Sequence, residues 1–123
     1  MLKVDSRSSK PIYKQIIESI KEDIIKGILK PGDKLPSVRE LSAMITINPN
    51  TISKAYKELE RMKTIEVIRG KGTFVCKDYK PVITEEKMEN LKENMKKIII
   101  EAHYMGINKD KLLNIIEDIY GKF

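Results

Sequence analysis

The strongest constraint on the fold is a run of two short helical segments, a tight turn and a glycine-containing hairpin within residues 35–75. In the first segment Ser37 can accept a hydrogen bond from the backbone, while Glu40 lies where its side chain can reach back to the backbone of Ser37. Such a capping box begins a helix. Apolar residues then recur at helical spacing, at Val38, Leu41 and Ile45. The sequence therefore predicts a helix that starts after Ser37 and packs one face against a core.

A second helix is predicted to begin at Asn48 or Asn50, because the fixed φ of Pro49 suits a first helical position. Its apolar face contains Ile52, Ala55, Tyr56 and Leu59. Its opposite face carries Asn50, Ser53, Lys54, Lys57 and Arg61. These side chains are hydrogen-bond donors of the kinds that reach phosphates or base edges, so this face is the candidate nucleic-acid surface.

A β-hairpin is predicted after the second helix. Its strands are residues 65–68 and 73–76, and the turn between them is Arg69-Gly70-Lys71-Gly72. The glycines make this turn flexible, and its two cations make it basic. Two helices followed by such a hairpin are typical of a winged helix-turn-helix.

A long helix over residues 11–27 precedes this unit, with Pro11 near its first turn and Gly27 at its end. It should support the two shorter helices. The predicted shared core consists of Ile16, Ile20, Leu41, Ile52 and Leu59. Residues 28–36 contain a cluster of turn-forming residues and are predicted to reverse the chain.

The end of the chain predicts a helical hairpin that forms a dimer. Thr84 can cap its first helix, while Gly106 and Asn108 separate that helix from the second. Apolar residues in the first helix recur in alternating steps of three and four, which is typical of a narrow seam that pairs with another helix. The predicted dimerisation residues are Met88, Leu91, Met95, Ile98, Ala102, Leu112, Ile116 and Ile119. Two such helices expose too much apolar surface to stand alone, so a second copy is expected to cover them.

These elements predict an α+β fold that is mainly α. The predicted domains are a winged helix-turn-helix over residues 1–77 and a two-helix dimerisation tail over residues 84–123, joined by a linker over residues 78–83. With 24 basic and 18 acidic residues the chain carries a net charge of +6. Residues 1–80 hold 17 basic and 10 acidic residues, or +7, and residues 81–123 hold 7 and 8, or −1. The excess favours attraction to a polyanion but is also compatible with solvated lysines.

Several classes of function are excluded by pattern. No stretch reaches the roughly 20 apolar residues that a membrane span needs, and no signal-type segment opens the chain, which predicts a cytoplasmic protein with no membrane partner. His103 is the only histidine and lies far from Cys76, so no metal site or other cofactor is predicted. Cys76 is expected to act as a small buried hydrophobe, with a redox role left open. No nucleophile and base occur at a recognisable spacing, so no catalytic residue is assigned and the chain is not expected to be an enzyme.

The motifs taken together resemble the GntR family of bacterial transcription regulators. The resemblance covers about residues 10–76 and rests on Leu35-Pro36-Ser37-Val38-Arg39 followed by Gly70-Lys71-Gly72-Thr73-Phe74-Val75. The recognition segment Asn48-Pro49-Asn50-Thr51, the later Lys54-Ala55-Tyr56 and the short two-helix tail are similar to the YtrA-like branch of that family.

The resemblance implies a homodimeric repressor that binds an inverted repeat in double-stranded DNA, often beside a transporter operon. It implies DNA contacts from Arg39 and from the first turn of the second helix, and a wing that enters the minor groove. With the lysines of the helix face, the predicted DNA-binding residues are Arg39, Asn48, Asn50, Thr51, Ser53, Lys54, Lys57, Arg69, Gly70 and Lys71.

Two points stay open. The same fold also serves as a protein-interaction module that does not touch DNA, although the polar, lysine-bearing helix face argues against that alternative. An unidentified small-molecule effector is compatible with the sequence. The tail is small for enclosing a metabolite, since useful pockets measure roughly 300 Å³ or more. Such an effector is therefore expected at the dimer interface or between head and tail.

Overall fold

The structure, a computed structural model, describes residues 3–123. The elements are α1 (Ile12–Ile25), β1 (Lys34–Leu35), α2 (Val38–Ile45), α3 (Pro49–Arg61), β2 (Ile65–Ile68), β3 (Gly72–Val75), α4 (Glu85–Tyr104) and α5 (Lys109–Tyr120). They form two compact units. The head ends at Tyr79, and the tail is Lys80–Phe123. The predicted class, mainly α with a small antiparallel sheet, is confirmed.

The capping box that opens α2 is present. The Glu40 backbone N–H donates to the Ser37 hydroxyl at 3.1 Å, and the Ser37 N–H donates to a Glu40 carboxylate oxygen at 3.3 Å. The C-cap of α2 is Thr46, which takes a left-handed conformation with φ 56°. After this turn the Asn48 side chain caps α3 by accepting from the Asn50 N–H at 2.8 Å, and Pro49 is the first helical residue. The helix thus begins at Pro49, between the two predicted starts, and Asn48 is its N-cap.

The core of the head lies between α1, α2, α3 and one face of the sheet. All five predicted core residues are buried, each at most 3% exposed: Ile16, Ile20, Leu41, Ile52 and Leu59. The apolar face predicted for α3 is buried as well. Tyr56 adds a polar anchor, because its hydroxyl donates to the Pro36 carbonyl at 2.7 Å and so ties α3 to the residue before the α2 cap. Burial, reinforced by Glu40, raises the pKa of Tyr56 to about 12.

The sheet contains one strand more than predicted. Its order is β1-β3-β2, all antiparallel, with Lys34 opposite Phe74 and Leu35 opposite Thr73. The prediction that residues 28–36 form only turns was wrong for β1. A two-residue strand is too short to show periodicity, and it exists only through its pairing with β3. Leu35 is 4% exposed and joins the core.

Four predicted boundaries also shift. The second hairpin strand is Gly72–Val75 rather than residues 73–76, and the half-buried Cys76 lies just beyond it, donating its N–H to the Thr64 carbonyl at 3.1 Å. The long helix ends at Ile25 instead of 27, and Pro11 is its N-cap. Helix ends are the least specific part of a periodic pattern, since caps and neighbouring contacts decide them.

The tail consists of two capped helices. Thr84 accepts the Lys87 N–H at 3.1 Å and Asn108 accepts the Lys111 N–H at 2.9 Å, which confirms both predicted caps. Gly106, with φ 76°, turns the chain between α4 and α5. In the tail, whose residues are all described, Ala102 is the one buried hydrophobic residue at 5% exposed. None of the helices within residues 3–123 is long and apolar enough to cross a membrane.

Candidate nucleic-acid interface

The exposed face of α3 is a shallow groove lined with polar side chains. Its lining is formed by Asn50, Ser53, Lys54, Lys57, Glu58 and Arg61. The groove arises because every third or fourth residue of α3 is buried in the head, which turns the remaining residues outward. Four of the predicted DNA-binding residues thus lie together on one surface of helical width: Asn50, Ser53, Lys54 and Lys57.

Two further predicted residues lie in the first turn of α3 but outside the groove lining. The exposed Asn48 uses its side-chain oxygen to cap the helix, which leaves its amide N–H₂ as the group available to a ligand. Thr51 is half-buried. Arg39 lies on a different element, the first turn of α2, where its side chain is exposed.

An aromatic ring lies under one of the lysines. The Lys54 ammonium is 4.0 Å from the centroid of the Tyr13 ring, a cation–π geometry that holds a flexible side chain in place. Tyr13 lies at helical spacing from Ile16, Ile17 and Ile20, a pattern that by itself indicates core packing. The half-buried ring does pack against the core, yet it also contacts a lysine 41 positions further along the chain, and no local pattern could predict that contact.

The last basic residue of the groove is already paired. The Arg61 Nε–H donates one bifurcated hydrogen bond to the two oxygens of the Glu58 carboxylate, each 3.1 Å from Nε, and Nη2 donates a further one. The hydrogen bond to Arg61 lowers the pKa of Glu58, and the same bond raises the pKa of Arg61. Arg61 is therefore less available to a phosphate than Lys54 or Lys57.

The wing is the turn between β2 and β3. Arg69, Gly70 and Lys71 are all exposed there. The turn is closed by a hydrogen bond from the Lys71 N–H to the Ile68 carbonyl at 2.9 Å, and Gly70 takes φ 79°. This left-handed conformation is one that glycine adopts without strain, so the residue fixes the shape of the tip. The wing presents two cations on a short, closed turn.

No group of three or more His, Cys, Asp or Glu side chains within residues 3–123 could hold a metal ion. The helices α2 and α3, joined by a tight turn and followed by the wing, form a winged helix-turn-helix. A family model described as bacterial regulatory proteins of the gntR family matches residues 12–75. The chain belongs to this family and is a DNA-binding transcription regulator.

Individual relatives extend the match over nearly the whole chain. The chain is 55% identical over 119 residues to the HTH-type transcriptional repressor YtrA of Bacillus subtilis (strain 168), covering 97% of this chain and 92% of that protein. The crystal structure of a transcriptional antiterminator from Listeria monocytogenes EGD-e matches at TM-score 0.88 and 36% identity, covering 98% of this chain and 90% of the other.

A third match contains DNA. The crystal structure of AraR(DBD) in complex with an operator matches at TM-score 0.53 and 31% identity, covering 60% of this chain and 89% of the other. The resemblance to the GntR family and its YtrA-like branch, first suggested by the motifs, is thereby confirmed.

Proposed function

We propose that the protein is a repressor that binds an inverted repeat in double-stranded DNA as a homodimer, without catalysing a reaction. The observation that carries this proposal is the α3 groove, where Asn50, Ser53, Lys54 and Lys57 face outward together. The relative that is 55% identical is itself described as a repressor, which supports the sign of regulation. Since chromosomal DNA is the proposed ligand, the proposed site of action is the bacterial cytoplasm.

Each part of the proposed interface has a separate task. Arg39 and the first turn of α3 contact base edges in the major groove, Lys54 and Lys57 neutralise phosphates, and the wing tip lies at the minor groove. Phosphate contacts give affinity for any duplex, whereas base contacts select one sequence. The protein-interaction alternative favours an apolar or acidic surface on α3. The groove there is lined by polar side chains and carries two lysines outside any ion pair recorded among residues 3–123.

The tail is the proposed dimer interface, through which two copies of the chain associate. Four of the predicted seam residues on α4 are substantially exposed in the single chain: Met88 at 36%, Leu91 at 54%, Met95 at 47% and Ile98 at 54%. Along α4 they recur in steps of three and four, which places them on one side of the helix. On α5, Leu112 and Ile116 are half-buried and Ile119 is 49% exposed, so this helix contributes further apolar surface to the predicted seam. Ala102 is already covered within one chain and adds little area to the seam.

Selection of bound fragments from randomised duplex DNA, repeated at higher salt, tests the proposal directly. The expected product is an inverted repeat with half-sites about 10 base pairs apart, one turn of duplex, because each α3 of a symmetric dimer enters one major groove. Recovery of no sequence above background at either salt concentration would contradict the proposed function.

The contribution of the wing to DNA binding can be tested separately. Changing both Arg69 and Lys71 to Ala should lower the slope of log affinity against log salt by roughly one to two units. The reason is that binding releases about one counterion fewer for each cation that no longer contacts a phosphate. The measurement is fluorescence anisotropy with one duplex at several salt concentrations. A slope equal to that of the unaltered protein would remove the wing from the interface.

The Tyr13 ring should matter to DNA binding through Lys54. Tyr13→Leu removes the ring beneath the ammonium, and we expect duplex affinity to fall by about two- to fivefold, the equivalent of the ~0.5–1 kcal/mol of an exposed cation–π contact. Tyr13→Phe keeps the ring and is the matched control, expected to bind as the unaltered protein does. Circular dichroism checks that both variants fold. Equal affinities for the Leu and Phe variants would show that the ring has no positioning role.

A further inference from the structure

Beside the wing lies Lys34, which the sequence motifs did not assign to DNA binding. Lys34 forms half of the short strand β1 and is exposed. It pairs with Phe74 of β3. In an antiparallel pair the diagonal neighbours two positions away share a face with the paired residue, and for Lys34 these neighbours are Gly72, toward the wing, and Cys76, away from it.

The Lys34 side chain leans toward Gly72. Its Cε lies 2.9 Å, and its Nζ 3.6 Å, from the position that a Cβ at residue 72 would occupy. The lysine stem thus fills space that any other residue at position 72 would need for its own side chain. The backbone of Gly72 also has φ 125°, which L side chains rarely adopt. Glycine at this position therefore permits both the turn and the lysine that crosses it.

The ammonium consequently ends next to the turn that carries Arg69 and Lys71. Lys34 takes part in none of the ion pairs recorded among residues 3–123, so its charge is not neutralised by a carboxylate of that part of the chain. Three cations then occupy one small projection. Such a concentration of charge suits the enhanced negative potential between the two phosphate backbones of a narrow minor groove.

We propose that Lys34 is a third DNA-contacting cation of the wing and that it binds a backbone phosphate beside the groove approached by Arg69 and Lys71. This assignment rests on the proposed function. A lysine ammonium is a compact point charge rather than a planar fork, so the contact adds affinity for any sequence and does not read a base. Lys34 reaches this position through the pairing of β1 with β3.

The chain offers a matched control. The Lys77 side chain crosses a glycine in the same manner, with its Cε 2.8 Å from the position that a Cβ at Gly32 would occupy. Lys77 lies beyond Val75, at the end of β3 that is opposite to the wing. Lys34→Gln and Lys77→Gln therefore remove the same charge from similar packing, one beside the wing tip and one away from it.

The test measures the salt dependence of binding to the selected inverted repeat. It compares the unaltered protein with Lys34→Gln, Lys34→Arg, Lys77→Gln and the double variant Arg69→Gln, Lys71→Gln. Lys34→Gln should lower the slope by about one unit, whereas Lys34→Arg and Lys77→Gln should leave it unchanged. An unaltered slope for Lys34→Gln, or equal losses for Lys34→Gln and Lys77→Gln, would overturn the assignment of Lys34 while the unaltered protein still bound its repeat. Absence of binding by the unaltered protein would instead overturn the proposed function and this inference with it.

Discussion

A protein that ends at Lys80 is expected to be monomeric and to bind the full inverted repeat more weakly than the whole chain by a factor on the order of 10²–10⁴. The loss arises because a dimer converts the second half-site contact into an intramolecular event, whereas a single head must hold each half-site alone. Analytical ultracentrifugation measures the mass of the shortened protein. Anisotropy against duplexes with one and two half-sites measures the affinity.

The head should survive this shortening. Its core is built from residues that precede the tail, and Ile16, Ile52 and Leu59 are each 0% exposed. Circular dichroism should therefore retain the helix signal of α1, α2 and α3, and affinity for a single half-site should change little. A shortened protein that still dimerised and bound the full repeat normally would show that the tail has another purpose.

A point variant isolates the seam from the rest of the tail. Ile98 is 54% exposed on the predicted seam, and Ile98→Glu would place a charge in the interface, where it cannot be solvated. Ile100→Glu makes the same substitution at another exposed isoleucine, 50% exposed, which lies two residues further along and so on the other side of α4. We expect the first variant to be monomeric and the second to remain dimeric. The opposite ranking would assign the dimer contact to another face of the helix.

Sequence patterns predicted the elements whose signals are local. The capping box at Ser37 and Glu40 and the proline after Asn48 each use backbone groups within three residues, so the helix starts followed from the sequence. The apolar face of α3 followed as well, because helical periodicity alone determines which of its residues can share a core.

Contacts between distant segments could not be predicted in this way. The strand β1 exists because Lys34 and Leu35 meet β3 about 40 residues later. The ring of Tyr13 lies under Lys54 because α1 and α3 pack together in the head. In both cases a residue whose local pattern indicates a turn or the core lies beside the candidate DNA surface. The extent of that surface therefore depends on tertiary structure even though its central helix does not.

The second large effect is expected from substitution of the residues proposed to read bases. Replacing Arg39 or Asn50 by Ala should weaken binding to the selected repeat by on the order of 1–3 kcal/mol while leaving affinity for an unrelated duplex nearly unchanged. Both side chains are exposed near the start of a helix, Arg39 in the first turn of α2 and Asn50 in the first turn of α3. An arginine can bind a guanine through two hydrogen bonds, and an asparagine can bind an adenine in the same way.

Lys57 provides the contrast within the same groove. It lies seven residues after Asn50, about 10 Å further along the helix, and its ammonium is suited to a phosphate rather than to a base edge. Lys57→Ala should therefore weaken the selected and the unrelated duplex alike and lower the salt slope by about one unit. The measurement is a set of dissociation constants for both duplexes at matched salt. If all three variants lost the same factor on both duplexes, Arg39 and Asn50 would not be base readers, and sequence selection would have to come from the wing or from the shape of the DNA.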